Sequence, residues 1–253
     1  MATLYTQPMT TLDLAPPSFV QLPALRMAYR EWGPPQAAAA VVLIHGITSS
    51  SLSWIRVGPR LGERFHVVAV DLKGHGDSEQ PKSGYRLPDQ AREVAELSAA
   101  LGIERAIVVG HSWGGALAVH LATSTNLVSR LVLEDPAIGE REPHPQRDER
   151  RAGYAANVGL SREQAEALAR PNLAIGWTDA DVAGKVDAAM KGSPTAVRAV
   201  FEENEPWDLH DLLPTITCPT LLVLAGKDSI VDHEAASLAE ANPNVRAGAI
   251  SVS

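Results

Sequence analysis

Residues 108–120 read VVGHSWGGALAVH. An apolar, β-branched run gives way to a stretch of helix formers, and the change of backbone period falls across Gly110-His111-Ser112-Trp113-Gly114. A serine framed by two glycines at that junction has two readings. It is either a residue tolerated in a tight turn or a nucleophile lifted above a sheet edge. Strand, sharp turn and helix in that order is the arrangement that exposes a serine hydroxyl. Gly110 and Gly114 carry no Cβ to obstruct the neighbouring chain, and the serine between them takes a strained φ/ψ. The helix beginning beside it turns its positive end toward any negative charge that develops there. Ser112 is therefore the candidate nucleophile.

The pattern on either side supports this. Apolar runs recur in SFVQL, LRMAYREW, AAVVLIHG, HVVAVDLKG, AIVVGHS, SRLVLEDPA, TLLVLAGKD and RAGAISVS. Four of them contain the continuous cores VVLI, VVAV, IVV and LLVL, expected of strands buried on both faces of a mostly parallel sheet. Val94, Leu97 and Leu101 give the stretch from Pro88 to Leu101 one apolar helical face. Strand and helix alternate from residue 40 to 137, which predicts an α/β, doubly wound, mostly parallel sheet.

Between residues 138 and 213 the alternation stops. Ser161 with Gln164 and Thr178 with Asp181 stand at capping-box spacing, and Ser193-Pro194 is a further helix start. EREPHPQRDERR, residues 140–151, reads as a solvated hinge or loop. The expected organisation is a core of residues 1–137 and 214–253, with 138–213 inserted as a small helical cap over the sheet's carboxyl edge.

With 253 residues the chain is long enough for one well-buried domain. Its net charge of −8 and lack of a basic run argue against nucleic acid or an anionic membrane as partner. The N-terminus does not read as a secretory signal, and no apolar run approaches the roughly 18 residues of a membrane span. Cys218 is the single cysteine, which excludes an internal disulfide and suits a reducing compartment, so a cytoplasmic location is expected. No dinucleotide glycine fingerprint follows an early strand, and no His/Cys cluster has metal-ligand spacing. Neither a cofactor nor a metal is expected, and the sequence does not address oligomeric state.

Taken together, the GHSWGG elbow, HGITSSSLSW (45–54), DLKGHGDS (71–78) and LLVLAGKDSIV (221–231) resemble the α/β-hydrolase fold family in order and spacing over nearly the whole chain. The resemblance implies an oxyanion hole made by the backbone amides of Ile47 and Trp113, with Gly46 allowing close backbone approach. It implies an acid after the late strand, Asp228, with Asp135 as an alternative and Asp232 better suited to capping a helix. His45 and His75 match structural turns of the family rather than proton carriers. The family's histidine lies in the loop after the last strand. None of the eight histidines here, at 45, 66, 75, 111, 120, 144, 210 and 233, occupies that place. The expectation is a chain from which the histidine loop and final helix are missing, and a feeble catalyst in consequence.

A serine at the elbow suits acyl transfer, so a small or medium carboxylic ester or lactone is the expected substrate. Carbon–carbon bond hydrolysis of a diketone and non-catalytic ligand binding on the same framework are the alternatives. Trp177, Met190, Phe201 and Trp207 would line an acyl pocket or pack the cap onto the sheet.

Overall fold

A computed structural model describes residues 16–139, 146–226 and 229–249. Eight strands form one sheet: β1 (Ser18–Gln21), β2 (Arg26–Trp32), β3 (Ala40–Ile44), β4 (His66–Val70), β5 (Ala106–His111), β6 (Val128–Glu134), β7 (Thr220–Leu224) and β8 (Val245–Ala249). Their order is β1-β2-β4-β3-β5-β6-β7-β8. β1 pairs antiparallel with β2 and β2 antiparallel with β4, while every later pair is parallel.

The central strands are apolar throughout because both of their faces are covered. Val42 and Ile44 of β3, with Val68 and Val70 of β4, face one core together with Val94 and Leu97 of α2 (Leu87–Ala100) and Leu117 and Leu121 of α3 (Trp113–Ser124). Their alternates Val41, Leu43, Val67 and Ala69 face the other side with Trp54 and Leu61, the latter in α1 (Gly58–Gly62). This is the doubly wound α/β sheet that the alternation predicted. The LLVL run departs from expectation: Leu221 is 44% exposed and Leu222 is buried, so β7 is covered on one face only.

Four helices lie between β6 and β7: α4 (Arg147–Ala155), α5 (Arg162–Ala169), α6 (Asp179–Lys191) and α7 (Pro194–Asn204). Both expected capping boxes are formed, at Ser161/Gln164 and Thr178/Asp181, and Ser193 caps α7 through Ala196 N. In the segment read as a solvated loop, α4 begins already at Arg147. Arginine, glutamate and alanine are good helix formers, and Arg151 reaches Glu202 at 3.4 Å and Glu205 at 3.5 Å.

Two contacts place this insertion over the core. α7 sends Glu203 to the amides of Gly84 (3.0 Å) and Tyr85 (2.7 Å), and Asn204 to the amide of Leu87 (2.7 Å). α6 rests on the turn at 51–54, close enough that a Cβ on Gly184 would lie 3.2 Å from Leu52. α8 (His233–Ala241) follows β7, and Asp232 caps it by accepting from Ala235 N at 2.7 Å.

Candidate active site

β5 ends at His111, and Ser112 begins α3 with φ 51° and ψ −118°. A serine before a helix ordinarily turns its oxygen back onto the first-turn amides, as Ser161, Thr178 and Ser193 do here. Ser112 makes no such bond. The left-handed backbone swings its side chain off the helix axis, which leaves a half-buried hydroxyl uncommitted.

The two flanking glycines are needed for clearance. A Cβ on Gly110 would stand 2.3 Å from the carbonyl oxygen of Gly114, and one on Gly114 would stand 2.3 Å from that of Ile44. These close approaches hold α3 against β3 and β5. Gly46 approaches from the other side, its Cβ position lying 3.0 Å from the Cβ of Ser112. The loop that begins at Gly46 thus runs directly over the serine.

Among the described residues, the backbone N–H groups of Ile47 and Trp113 have no hydrogen-bond acceptor. The turn that presents Ile47 is tight. Ser49 N donates to Gly46 O at 3.2 Å, and Thr48 sits at φ 62°, an unfavourable region for a β-branched residue.

Several bonds fix that turn. His45 donates from Nδ1 to Gly46 O at 2.7 Å and accepts at Nε2 from Leu72 N at 3.0 Å. Asp71 accepts from Ser51 N at 2.6 Å and from Asp77 N at 3.0 Å, and Arg30 lies against it. Complete burial pushes His45 down to about 3, with His75 nearby adding to the effect. His75, also fully buried, is pushed down to about 4 and donates from Nδ1 to Lys73 O at 2.9 Å. Both rings are neutral: His45 ties the loop after β3 to the loop after β4, while His75 bonds within the loop after β4 and packs against His45, and neither is a proton carrier for Ser112.

Asp228 lies outside the described residues. Asp135 directly follows β6 with φ 43° and directs its carboxylate to Ala225, Ser229 and Ile230, which flank Asp228 in the chain. Oδ1 accepts from Ser229 Oγ and from Ala225 N (3.4 Å), and Oδ2 from Ile230 N (3.2 Å). Asp135 therefore fastens the chain on both sides of Asp228. Farther along, His210 is enclosed between Asp208 (2.6 Å) and Asp232 (3.1 Å).

Seven of the eight histidines lie among the described residues and His144 does not. None of the seven hydrogen-bonds Ser112: His66 pairs with Glu31, His111 is exposed beside the serine, and His120 and His233 lie on α3 and α8.

Trp113 meets Trp207 edge-on at 5.4 Å, while Phe201 stacks on Tyr154 and packs with Ile47. Phe201 and Trp207 thus join the insertion to the turn at Ile47, Trp177 borders a cleft between α1 and α6, and Met190 is exposed. Among the described residues no group of three or more His, Cys, Asp or Glu could hold a metal ion, and no helix is long and apolar enough to cross a membrane.

This elbow, its flanking turn and the parallel sheet agree with the comparison against protein families. A family model described as the alpha/beta hydrolase fold matches residues 39–250. The chain belongs to that family. This α/β hydrolase is 28% identical to an N-formylmaleamate deformylase of Pseudomonas putida over 217 residues, 82% of this chain and 78% of the deformylase. It is 40% identical to an uncharacterized protein of Mycobacterium tuberculosis over 124 residues, 48% of this chain and 36% of that protein. The hydrolase therefore spans little more than a third of the mycobacterial relative it matches. A solved structure of a hydrolase from Pseudomonas aeruginosa PA01 superposes with a TM-score of 0.78 at 25% identity, covering 94% of this chain and 91% of that one.

Two features have no local sequence signal. Thr48 takes a left-handed conformation, and Lys185 of α6 reaches its carbonyl oxygen at 3.0 Å. A lysine in DVAGKVDAAMK reads as solvated, and only the seating of α6 on the 51–54 turn buries it.

Proposed function

We propose that this α/β hydrolase is a serine acyl hydrolase acting on a small or medium carboxylic ester or lactone. Ser112 attacks the carbonyl, the amides of Ile47 and Trp113 hold the oxyanion, and water releases the acyl group. Asp228 is the acid member, and Asp135 is the clamp of its loop. The observation that carries this reading is the hydroxyl of Ser112, turned away from its own helix beside two backbone donors without acceptors. Donors fixed in advance at the site of developing charge account for the larger part of such catalysis. The name of the deformylase relative supports acyl transfer as the reaction, since removing a formyl group is one form of it. The substrate is a small molecule, the insertion 138–213 serves as its cap, and the chain works in the cytoplasm, in keeping with a free Cys218.

Turnover by this chain is slow on the same reading. A serine hydroxyl needs a base, and no described histidine is bonded to Ser112. Loss of a triad member costs about four to six orders of magnitude in kcat, while the oxyanion donors retain some acceleration. The test is labelling with a fluorophosphonate probe followed by peptide mapping. Slow modification at Ser112, absent in Ser112→Ala, is expected. Modification at another residue, or equal modification of the alanine variant, overturns the assignment.

A further inference from the structure

Between the oxyanion turn, α1 and α6 lies a cavity of about 550 Å³. Leu52, Val57, Leu61 and Trp177 give it an apolar wall, and Arg56, Arg60, Glu134, Asp181 and Lys185 also line it. Most cations of this region have acidic partners. Arg56 pairs with Asp181 at 3.2 Å, and Lys191 pairs with Asp77 at 2.8 Å and Asp187 at 3.0 Å.

Lys185 differs. Its Nζ donates to Thr48 O at 3.0 Å, and no described carboxylate stands within ion-pair distance of it. An ammonium has three N–H donors, so this bond leaves two for other acceptors. Burial disfavours the charge and pushes its pKa down. A half-buried cation without a described counter-ion is costly unless something else supplies the negative charge.

The position of Lys185 says what that something is. Thr48 directly follows Ile47, so the ammonium stands one residue from the turn over Ser112. We infer that the cavity receives a carboxylate of the substrate, with Lys185 as its counter-ion. This rests on the acyl-hydrolase reading and narrows the substrate to an acyl compound that carries a second, free carboxylate. Glu134 lines the same cavity, which favours a single negative charge over a phosphate dianion. The chain's net charge of −8 repels anions at long range, so a local cation has to provide the recognition.

Calorimetric titration separates the possibilities. Monomethyl glutarate, uncharged dimethyl glutarate and inorganic phosphate are titrated into the wild-type chain, Lys185→Met and Lys185→Arg. Monomethyl glutarate should bind the wild type, lose about tenfold or more in affinity in Lys185→Met, and stay within about threefold in Lys185→Arg. Dimethyl glutarate and phosphate should bind about tenfold more weakly than the monoester. Equal affinity in Lys185→Met, absence of monoester binding to the wild type, or phosphate binding as tight as the monoester overturns the inference. If Lys185→Met fails to fold by circular dichroism, Lys185→Gln takes its place with the same expectations. Fluorophosphonate labelling of Ser112 on the same samples keeps the two readings apart. Failed monoester binding with intact labelling sinks the carboxylate site alone, whereas absent labelling in the wild type sinks the serine assignment that the substrate class rests on.

Discussion

Replacing His75 by asparagine should remove one proton's worth of acid sensitivity from this fold. His75 is fully buried, and its Nδ1–H donates to Lys73 O at 2.9 Å while Nε2 has no partner. Burial lowers its pKa from 6.5 to about 4, against the unfolded chain's ordinary value. As pH falls from 6.5, the unfolded chain takes up this proton and the folded one does not. The stability contributed by neutral His75 is therefore present above about 6.5 and is lost as pH drops toward 4. Integrated between about pH 7.5 and about pH 4.5, the loss is about 2.5 kcal/mol. Asparagine keeps an N–H donor near the position of Nδ1 and has nothing to titrate. The smaller side chain leaves a void that costs about 1–2 kcal/mol at every pH.

Subtraction isolates the effect, because other groups titrate over the same range. His45, pushed down to about 3, adds a loss of the same sign. Asp71 and Glu93, raised by burial, contribute in the opposite direction. Urea unfolding of wild type and His75→Asn at both pH values gives two stability differences. The wild type should lose about 2.5 kcal/mol more than the variant on acidification. Parallel losses in the two proteins would mean that His75 is protonated in the fold, and the neutral ring packed beside His45 would have to be abandoned.

Three further predictions concern backbone clearance at two glycines and the ion pairs of His210. Gly114→Ala places a methyl 2.3 Å from Ile44 O and 2.6 Å from His45 O, both rigid backbone, so it should cost about 2–4 kcal/mol and slow labelling of Ser112. Gly153→Ala in α4 meets nothing within 4 Å and should stabilise by about 0.5–1 kcal/mol, the opposite sign in the same urea assay. Burial alone would push His210 down, but the carboxylates of Asp208 and Asp232 overcome it and hold its pKa above the usual value. The deficit of His210→Gln should then be greatest below about pH 6.5 and should shrink as pH rises through the folded pKa; a deficit that grows with pH contradicts the ion-pair account.

What could be read in advance was whatever a few neighbouring residues decide. Ser161 with Gln164 and Thr178 with Asp181 form their caps from contacts three residues apart, so spacing alone located two helix starts. The elbow is equally local, because its strain and its glycines belong to one five-residue turn. LLVL misled for the opposite reason. An apolar run records a preference for burial and not which elements cover it, and Leu221 stands exposed on an uncovered face of β7. The residues that narrow the chemistry come from distant parts of the chain. Asp135 holds Ala225, Ser229 and Ile230 from 90 or more positions away, and Lys185 touches Thr48 across 137. In sequence Asp135 stands only as an alternative acid after a strand, and Lys185 as an ordinary charge on a helix. Their importance arises from one physical difference: Asp135 is surrounded by donors, and Lys185 is half-buried with no described anion opposite it. A satisfied carboxylate positions a loop. A half-buried cation with two donors left over favours a ligand that brings the missing charge, which makes α6 the part of the insertion where a change should alter substrate choice without touching Ser112.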